Sequence, residues 1–393
     1  MGTSAADEDF DFARERPRGE ELHRFLARLR EHGPVARVRF GGAPAWVILR
    51  YAELARAFRD GVRFPPGPAY AATTEPVVGR SFISMDGEQH RIYRRLATPA
   101  FHSSAVARLE ETGLAELARE LADELAGRAE ADLVASFTHR FPIRMISRLL
   151  GLPHGDEERF SAWAVGLLAF PFDPELARRA SAEFTDYLLP IVAERRRRPQ
   201  GDVISELVRA EVEGRRLSDE DVLSHVRLLF PTGAETATSA LGTLLYALLC
   251  EPERWKRVID EPEERHWAVE ELLRWENPVA VVPRVAAPEP IAFAGAEIPA
   301  NAPVLFCIAA AHRDPAVFPD PDRFDLARRP MGLLSFGPGV RTCPGLHLAR
   351  KELRAALDVL AERFPGMRLL DRDAAVPVGA VLRAPERLPV ALR

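Results

Sequence analysis

Residues 336–345, Phe336-Gly337-Pro338-Gly339-Val340-Arg341-Thr342-Cys343-Pro344-Gly345, set one cysteine between a glycine-rich turn and an apolar, helix-period run over residues 346–364. Three glycines within nine residues allow backbone angles and close approaches that a Cβ would block. A cysteine just ahead of a helix N-terminus receives backbone N–H groups and the positive end of the dipole, and both favour thiolate over thiol. The loop therefore offers a metal a single sulfur. No second cysteine and no Cys-x-x-Cys accompanies it, which argues against tetrahedral zinc.

Upstream, residues 313–338 are rich in Pro, Asp, Arg and Phe and show no period; so long an irregular segment inside a compact protein tends to be functional. Helical spacing dominates the rest, predicting helices over 20–31, 51–59, 88–97, 104–128, 143–150, 157–168, 174–197, 202–211, 218–250, 264–275 and 346–364. Alternating segments 35–40 and 46–49 flank Gly41-Gly42 as a β-hairpin, and short strands are expected over 281–286, 303–306 and 378–382. The 218–250 helix opens with Ser218-x-x-Asp221 and an acidic first turn, and at ~1.5 Å per residue it reaches about 50 Å. A helix that long and apolar must cross the middle of the protein. Residues 228–250 carry one charge, Glu235, but Pro231, Gly233, Thr236, Thr238 and Ser239 add helix defects and polar groups that lipid would have to absorb, so a buried helix fits better than a membrane span.

The 393 residues are 47% hydrophobic and 28% charged, enough for a large core and incompatible with disorder or a disulfide scaffold. At ~150 residues per domain this length suggests two or three domains, yet no Gly/Ser linker or repeat divides it, and the chain reads as one unit. The net charge of −5, with no basic stripe interleaved by aromatics, excludes a nucleic-acid footprint. Three cysteines point to a reducing compartment, with Cys250 and Cys307 as small core residues. Residues 1–20 contain neither secretory signal nor anchor, so a cytoplasmic location is expected.

Phe336, Gly337, Gly339, Arg341, Cys343 and Gly345 resemble the haem-binding signature of the cytochrome P450 superfamily. At roughly 5% usage per residue type, six specified positions match by chance in such a chain on the order of 10⁻⁵ times. The resemblance implies a mainly α fold with small β-sheets, a single catalytic domain over 1–393, and haem b held between the long central helix and the cysteine-loop helix, with Cys343 on the iron. Glu271-Leu272-Leu273-Arg274 puts a carboxylate and a guanidinium three residues apart on one helical face. The family completes such a Glu-x-x-Arg pair with a loop arginine, matched at Arg323 in Pro321-Asp322-Arg323-Phe324. Glu271, Arg274 and Arg323 are thus expected to form a buried network that anchors the cysteine loop. His90 and Arg94, four apart on a helix face, align with the family's propionate-binding helix, and Arg284 and Arg341 match its other donors.

Thr232-Gly233-Ala234-Glu235-Thr236 resembles the family's acid–alcohol motif at Gly233, Glu235 and Thr236. The resemblance gives the Thr236 hydroxyl the task of holding oxygen and an ordered water, and Glu235 that of relaying protons. Pro231 and Gly233 are expected to loosen the helix ladder there. Without the resemblance, Thr236 reads as a helix-interior hydroxyl bonded to the preceding turn. The motif implies a monooxygenase with O2 as cosubstrate, hydroxylating or epoxidising a lipophilic small molecule. The alternative is the same haem fold acting as a peroxygenase or a non-oxygenating isomerase or dehydratase, against which the acid–alcohol pair speaks. A haem-free helical interaction protein would not need the cysteine signature. Alignment with the family places the substrate against Phe82, Ile83, Phe170, Phe172 and Phe230, and against Ala234, Ala237, Val279, Val281 and Val381. The resemblance leaves no sequence for a fused reductase, so electrons from NAD(P)H are expected through a separate ferredoxin and ferredoxin reductase, or a flavodoxin, to a monomer. Arg91, Arg95, Arg350, Lys351 and Arg354 are candidates to steer an acidic partner.

Overall fold

A computed structural model describes residues 9–101, 113–153, 155–170 and 172–393. Ser218 starts the central helix: its Oγ accepts the Asp221 N–H (3.1 Å) and its own N–H donates to the Asp221 carboxylate (2.9 Å), a capping box ahead of an acidic first turn. In the order of the chain, the helices that frame the site are α1 (Gly87–Ala97), α2 (Arg140–Leu150), α3 (Glu157–Leu168), α4 (Pro174–Arg197), the central α5 (Asp219–Leu249), α6 (Glu264–Trp275) and α7 (Leu346–Arg363). Between Val222 and Leu249 every residue of α5 is buried except Thr232, Gly233, Glu235 and Thr236. A helix apolar on all sides is stable only when neighbours cover it all round, and α2, α3, α4, α6 and α7 all pack against it. Gly233 lets α2 come close, since a Cβ there would stand 3.0 Å from Ile146 Cδ1.

A four-stranded sheet lies beside this bundle in the order β1-β2-β4-β3, with β1 Val35–Phe40, β2 Ala43–Ile48, β3 Val281–Val285 and β4 Pro303–Cys307. Gly41 and Gly42 both take positive φ (64° and 86°), the conformation a two-residue hairpin turn with matching twist requires. β2 runs parallel to β4 (Trp46 opposite Val304) and β4 antiparallel to β3 (Val304 opposite Arg284), which fixes Arg284 to the sheet. One smaller core gathers Phe12, Leu22, Leu26 and Val281; a second gathers Phe64, Phe293 and Phe306.

The expected strand over 378–382 is a two-rung pair, Pro377–Val378 with Ala384–Pro385, because the chain reverses between them through Gly379 at φ +114°. Helix 202–211 stops at Arg209, and Glu211–Val212 pairs with Arg215–Arg216 instead. Of the 104–128 helix the structure describes Leu114–Asp123, and its first part lies outside the described residues. Helix α2 starts at Arg140, three residues earlier than its apolar period suggested, with Pro142 inside the first turn where no backbone donor is lost. Helix α5 is continuous through Pro231 and Gly233, with the ladder bond that Pro231 cannot donate missing. Among the described residues, no helix is long and apolar enough to cross a membrane.

The carboxyl-terminal end of α6 holds the loop that carries Cys343. Arg274, 1% exposed, donates from Nε and Nη2 to Glu271 (2.8 and 2.7 Å), from Nη1 to the carbonyls of His312 and Pro321 (3.1 and 2.7 Å), and from Nη2 to that of Arg323 (2.9 Å). Here the expectation for Arg323 fails: it contributes its backbone carbonyl while its side chain is exposed. The third charged side chain is Arg328, whose Nε donates to Glu271 Oε1 (3.1 Å) beside the Asp325 N–H (2.9 Å). The Arg323 N–H turns back on Asp320 O (3.2 Å) with its side chain exposed, whereas Arg328 folds over the same turn, donating to the Pro319 and Asp320 carbonyls as it reaches the buried carboxylate. His312 extends the network, with Nδ1–H donating to Leu273 O (3.1 Å) and Nε2 accepting the Leu334 N–H (2.9 Å), while Ser335 Oγ donates to the same Leu273 carbonyl (2.9 Å). Burial and Arg274 hold His312 neutral, its pKa down at about 3. Removing one partner of a buried pair costs about 3–5 kcal/mol. Arg274→Ala is expected to cost that much in chemical denaturation and Arg328→Ala a large part of it, whereas Arg323→Ala stays within about 0.5 kcal/mol, as for an exposed side chain.

Candidate active site

Gly337 (φ +63°) and Gly339 (φ +111°) bend the cysteine loop against Phe58; a Cβ on Gly339 would lie 3.3 Å from the Phe58 carbonyl oxygen. The Cys343 N–H closes the loop onto Phe336 O (2.8 Å), and the Phe336 ring lies under the Arg350 guanidinium at 4.7 Å. Gly345 caps α7 and turns its N–H toward the Cys343 thiol, as a cysteine ahead of a helix start should be met. Burial nevertheless pushes this thiol up from its ordinary value, against the opposing pull of that N–H and of Arg94. The helix terminus alone does not make it a thiolate.

Beside the loop the four expected propionate donors come together. Arg94 of α1 donates to Thr342 O. Arg341 donates to the carbonyls of Phe82 (3.1 Å), Ile83 (3.2 Å) and Met85 and to Asp86 Oδ1 (2.5 Å). Arg284 donates to Pro283 O (2.8 Å) and Tyr70 Oη (3.3 Å), lying over the Tyr70 and Phe306 rings. His90 is buried with Nε2 unpartnered, and burial together with Arg341 and Arg94 takes its pKa down to about 4. Among the described residues only one carboxylate, that of Asp86, pairs with any of the four. An unpartnered buried ring nitrogen beside two guanidiniums, with a third near Arg341, suits carboxylates, and a single cysteine next to them suits an iron porphyrin. The residues present fit haem.

On α5, the one window in an otherwise buried surface opens at Thr232, Gly233, Glu235 and Thr236. The Thr236 hydroxyl donates to Thr232 O (2.8 Å), and Thr232 Oγ1 to Leu228 O (2.7 Å). Glu235 Oε1 is out of water and has no partner, and desolvation raises its pKa to about 7.

The substrate candidates divide. Phe82 is buried with Arg94 5.9 Å over its ring, and Ile83, Phe170, Val279 and Val381 are half-buried. Phe230 instead packs into an aromatic cluster with Phe184 (4.9 Å) and Phe160 (5.9 Å). Ala234 and Ala237 are buried on the helix away from the window. Val281 is in the core with Phe12 and Leu22, so strand alternation turns Val282 rather than Val281 the other way. Phe172 is 57% exposed. Two residues that sequence reasoning missed join this site. Thr232 shares the window with Thr236, one turn before it. His225 of α5 accepts the Phe82 N–H at Nε2 (3.3 Å) and donates from Nδ1 to Asp221 O (2.6 Å), so the Phe82 peptide is held by the central helix on one side and by Arg341 on the other. Its i, i+4 carbonyl bond carries no pattern that a sequence displays.

His90→Ala and Arg94→Ala are each expected to lower the haem retained after purification, read from the ratio of haem to protein absorbance. Arg91→Ala, whose guanidinium faces Glu213 (2.6 Å), should leave that ratio unchanged.

The family model described as Cytochrome P450 matches residues 12–151 and 158–365. Mycinamicin IV hydroxylase/epoxidase of Micromonospora griseorubida is 37% identical over 374 residues, 92% of this chain and 93% of the relative. The polyketide biosynthesis cytochrome P450 PksS of Bacillus subtilis is 32% identical, over 96% of this chain and 98% of its own. Cytochrome P450 CYP109Q5 from Chondromyces apiculatus superposes with a TM-score of 0.88 at 31% identity, covering 98% of both chains. With these matches over nearly its whole length, the chain belongs to the cytochrome P450 family and is a monooxygenase.

Proposed function

We propose that the protein hydroxylates or epoxidises a lipophilic, polyketide-type small molecule with one oxygen atom from O2, using haem b bound through Cys343 and electrons from NAD(P)H delivered by a separate ferredoxin and reductase or a flavodoxin. The observation that carries this reading is the α5 window: in a helix buried along 28 residues, polarity and access coincide at the acid and the alcohol that oxygen chemistry needs. Haem, when bound, supplies the binding and reduction of oxygen. The chain's own groups do the rest. His90, Arg94, Arg284 and Arg341 bind and orient the two propionates. Glu235, titrating near neutrality, holds a proton at its carboxylate and releases it toward the window. Thr236 turns its hydroxyl from the Thr232 carbonyl to donate into the site. Phe82, Ile83, Phe170, Val279 and Val381 give the substrate an apolar surface that excludes water. The polyketide class rests on the names of the relatives and on that apolar surface.

The cations expected to steer a redox partner are not free. Arg91 and Arg95 face Glu213 (2.6 and 3.1 Å), Arg350 faces Glu270 (2.5 Å), Arg354 faces Asp358 (2.9 Å), and Lys351 is engaged as well. These pairings reduce the field the cations present to a partner, least at Arg91 and Arg95, which share one carboxylate.

The reduced, CO-bound protein is expected to show the red-shifted thiolate band, lost in Cys343→Ala. Thr236→Ala should keep substrate binding and NAD(P)H oxidation while product per NAD(P)H falls about 10²-fold and peroxide rises; unchanged coupling refutes the relay. Glu235, with a pKa raised to about 7, carries its proton below that pH and loses it above. Product formation should decline above pH 7, and Glu235→Gln should flatten that limb at a lower overall rate.

A further inference from the structure

Where α5 ends at Cys250, a cleft of about 550 Å³ opens between the helix, the turn around Asp322 and the segment 372–377. Tyr246, Trp275, Phe324 and Val376 form its apolar wall. Four carboxylates border it, and each is already committed. Glu276 pairs with His23 and Arg383 (both 2.8 Å), Glu20 and Asp322 pair with Arg313 (3.2 and 2.9 Å), and Glu251 pairs with Arg254 (2.8 Å). Among the described residues no carboxylate pairs with the cleft's other guanidiniums. Arg24 and Arg323 are exposed and donate no side-chain hydrogen bond to a described residue. Arg372 is bonded to the Tyr246 hydroxyl beside the Cys250 thiol, whose pKa burial raises, and the Glu251 carboxylate, paired to Arg254, attracts it only from beyond ion-pair distance. Arg323 and Arg372 each lie near enough to Arg254 to push its pKa down.

A cleft with every acid paired, three guanidiniums without a carboxylate partner and an aromatic wall has the complement of one ligand class. We propose that it is a second binding site, separate from the haem site, for an amphipathic organic anion: a carboxylate or sulfonate held by Arg323 and Arg372, with its aromatic or aliphatic body against Trp275 and Phe324. The ligand would touch the turn whose Pro321, Asp322 and Arg323 carbonyls are gripped by Arg274 and by the Trp275 indole (2.8 Å to Asp322 O). The inference does not depend on the substrate proposed above.

Calorimetric titration of the haem-loaded enzyme with naphthalene-1-sulfonate, its haem pocket filled beforehand by an azole iron ligand, tests this. One sulfonate per chain is expected to bind with the azole in place. Arg323→Ala and Arg372→Gln should each weaken it about tenfold, the loss of one charge-assisted contact. The neutral naphthalene-1-sulfonamide should bind more weakly and respond to neither change. Arg24→Ala, at an exposed position, gives a further variant that does not threaten folding and should also weaken binding. Loss of sulfonate binding when the azole is present, or equal affinities across parent and variants, would overturn the proposal.

Discussion

A guanidinium shut away from water has five N–H groups to satisfy and cannot shed its proton. Arg274 meets that demand with five acceptors: two oxygens of Glu271 and the carbonyls of His312, Pro321 and Arg323. Three of these acceptors are backbone, drawn from two loops, so the ionic pair organises irregular chain that has no ladder of its own. An apolar pair of the same volume would fill the space equally well and could be as stable. It could not pull the His312 and Pro321 carbonyls to fixed places. The value of the charge lies in geometry.

From that point the hydrogen bonds run without a gap to the cysteine. Leu273 O takes both the His312 ring and the Ser335 hydroxyl, His312 holds the Leu334 N–H, Gly337 N–H turns back on Leu334 O (3.0 Å), and Cys343 N–H closes on Phe336 O. On the far side Arg94 ties Thr342 to α1, and Arg341 ties the loop to the Phe82–Met85 segment that His225 fixes to α5. A loop with three glycines is entropically costly to hold. Here its backbone is gripped from α1, α6 and the Phe82 segment, which makes it a rigid support.

Much of this could be read from the chain because it is written in short-range chemistry. The glycine spacing around Cys343, the Ser218 cap, and the i, i+4 placement of His90 and Arg94 follow from local geometry that survives folding. What failed depended on where a side chain points after the chain turns. Arg323 and Arg328 stand in the same irregular segment with no period to tell them apart, and only the folded course of that segment selects Arg328. Phe230, Ala234 and Ala237 are one helix face, Thr232 and Thr236 another; on a helix apolar all round, hydropathy does not say which face meets a cavity. Val281 and Val282 differ by one strand position, and one position exchanges the core around Phe12 and Leu22 for the one around Phe64 and Phe306. His225 works through backbone groups at Asp221 and Phe82, which leave no mark on sequence.

The cation cluster adds a constraint that packing alone does not reveal. Three guanidiniums and an imidazole are collected beside the loop, with the carboxylate of Asp86 on Arg341; burial pushes His90, Arg94 and Arg341 all downward in pKa, and repulsion adds to it at His90, from Arg341 and Arg94, and at Arg341, from Arg284. The imidazole answers by staying neutral; the guanidiniums cannot. They lean on carbonyls of Phe82, Ile83, Met85, Thr342 and Pro283, which supply dipoles but no net charge. The surplus is removed only by anions entering from outside the chain. Whatever brings two carboxylates to this place relieves the repulsion and adds its binding free energy to the folded state alone. Anions held by these residues therefore add to the stability of the folded loop that Arg94 and Arg341 also tether.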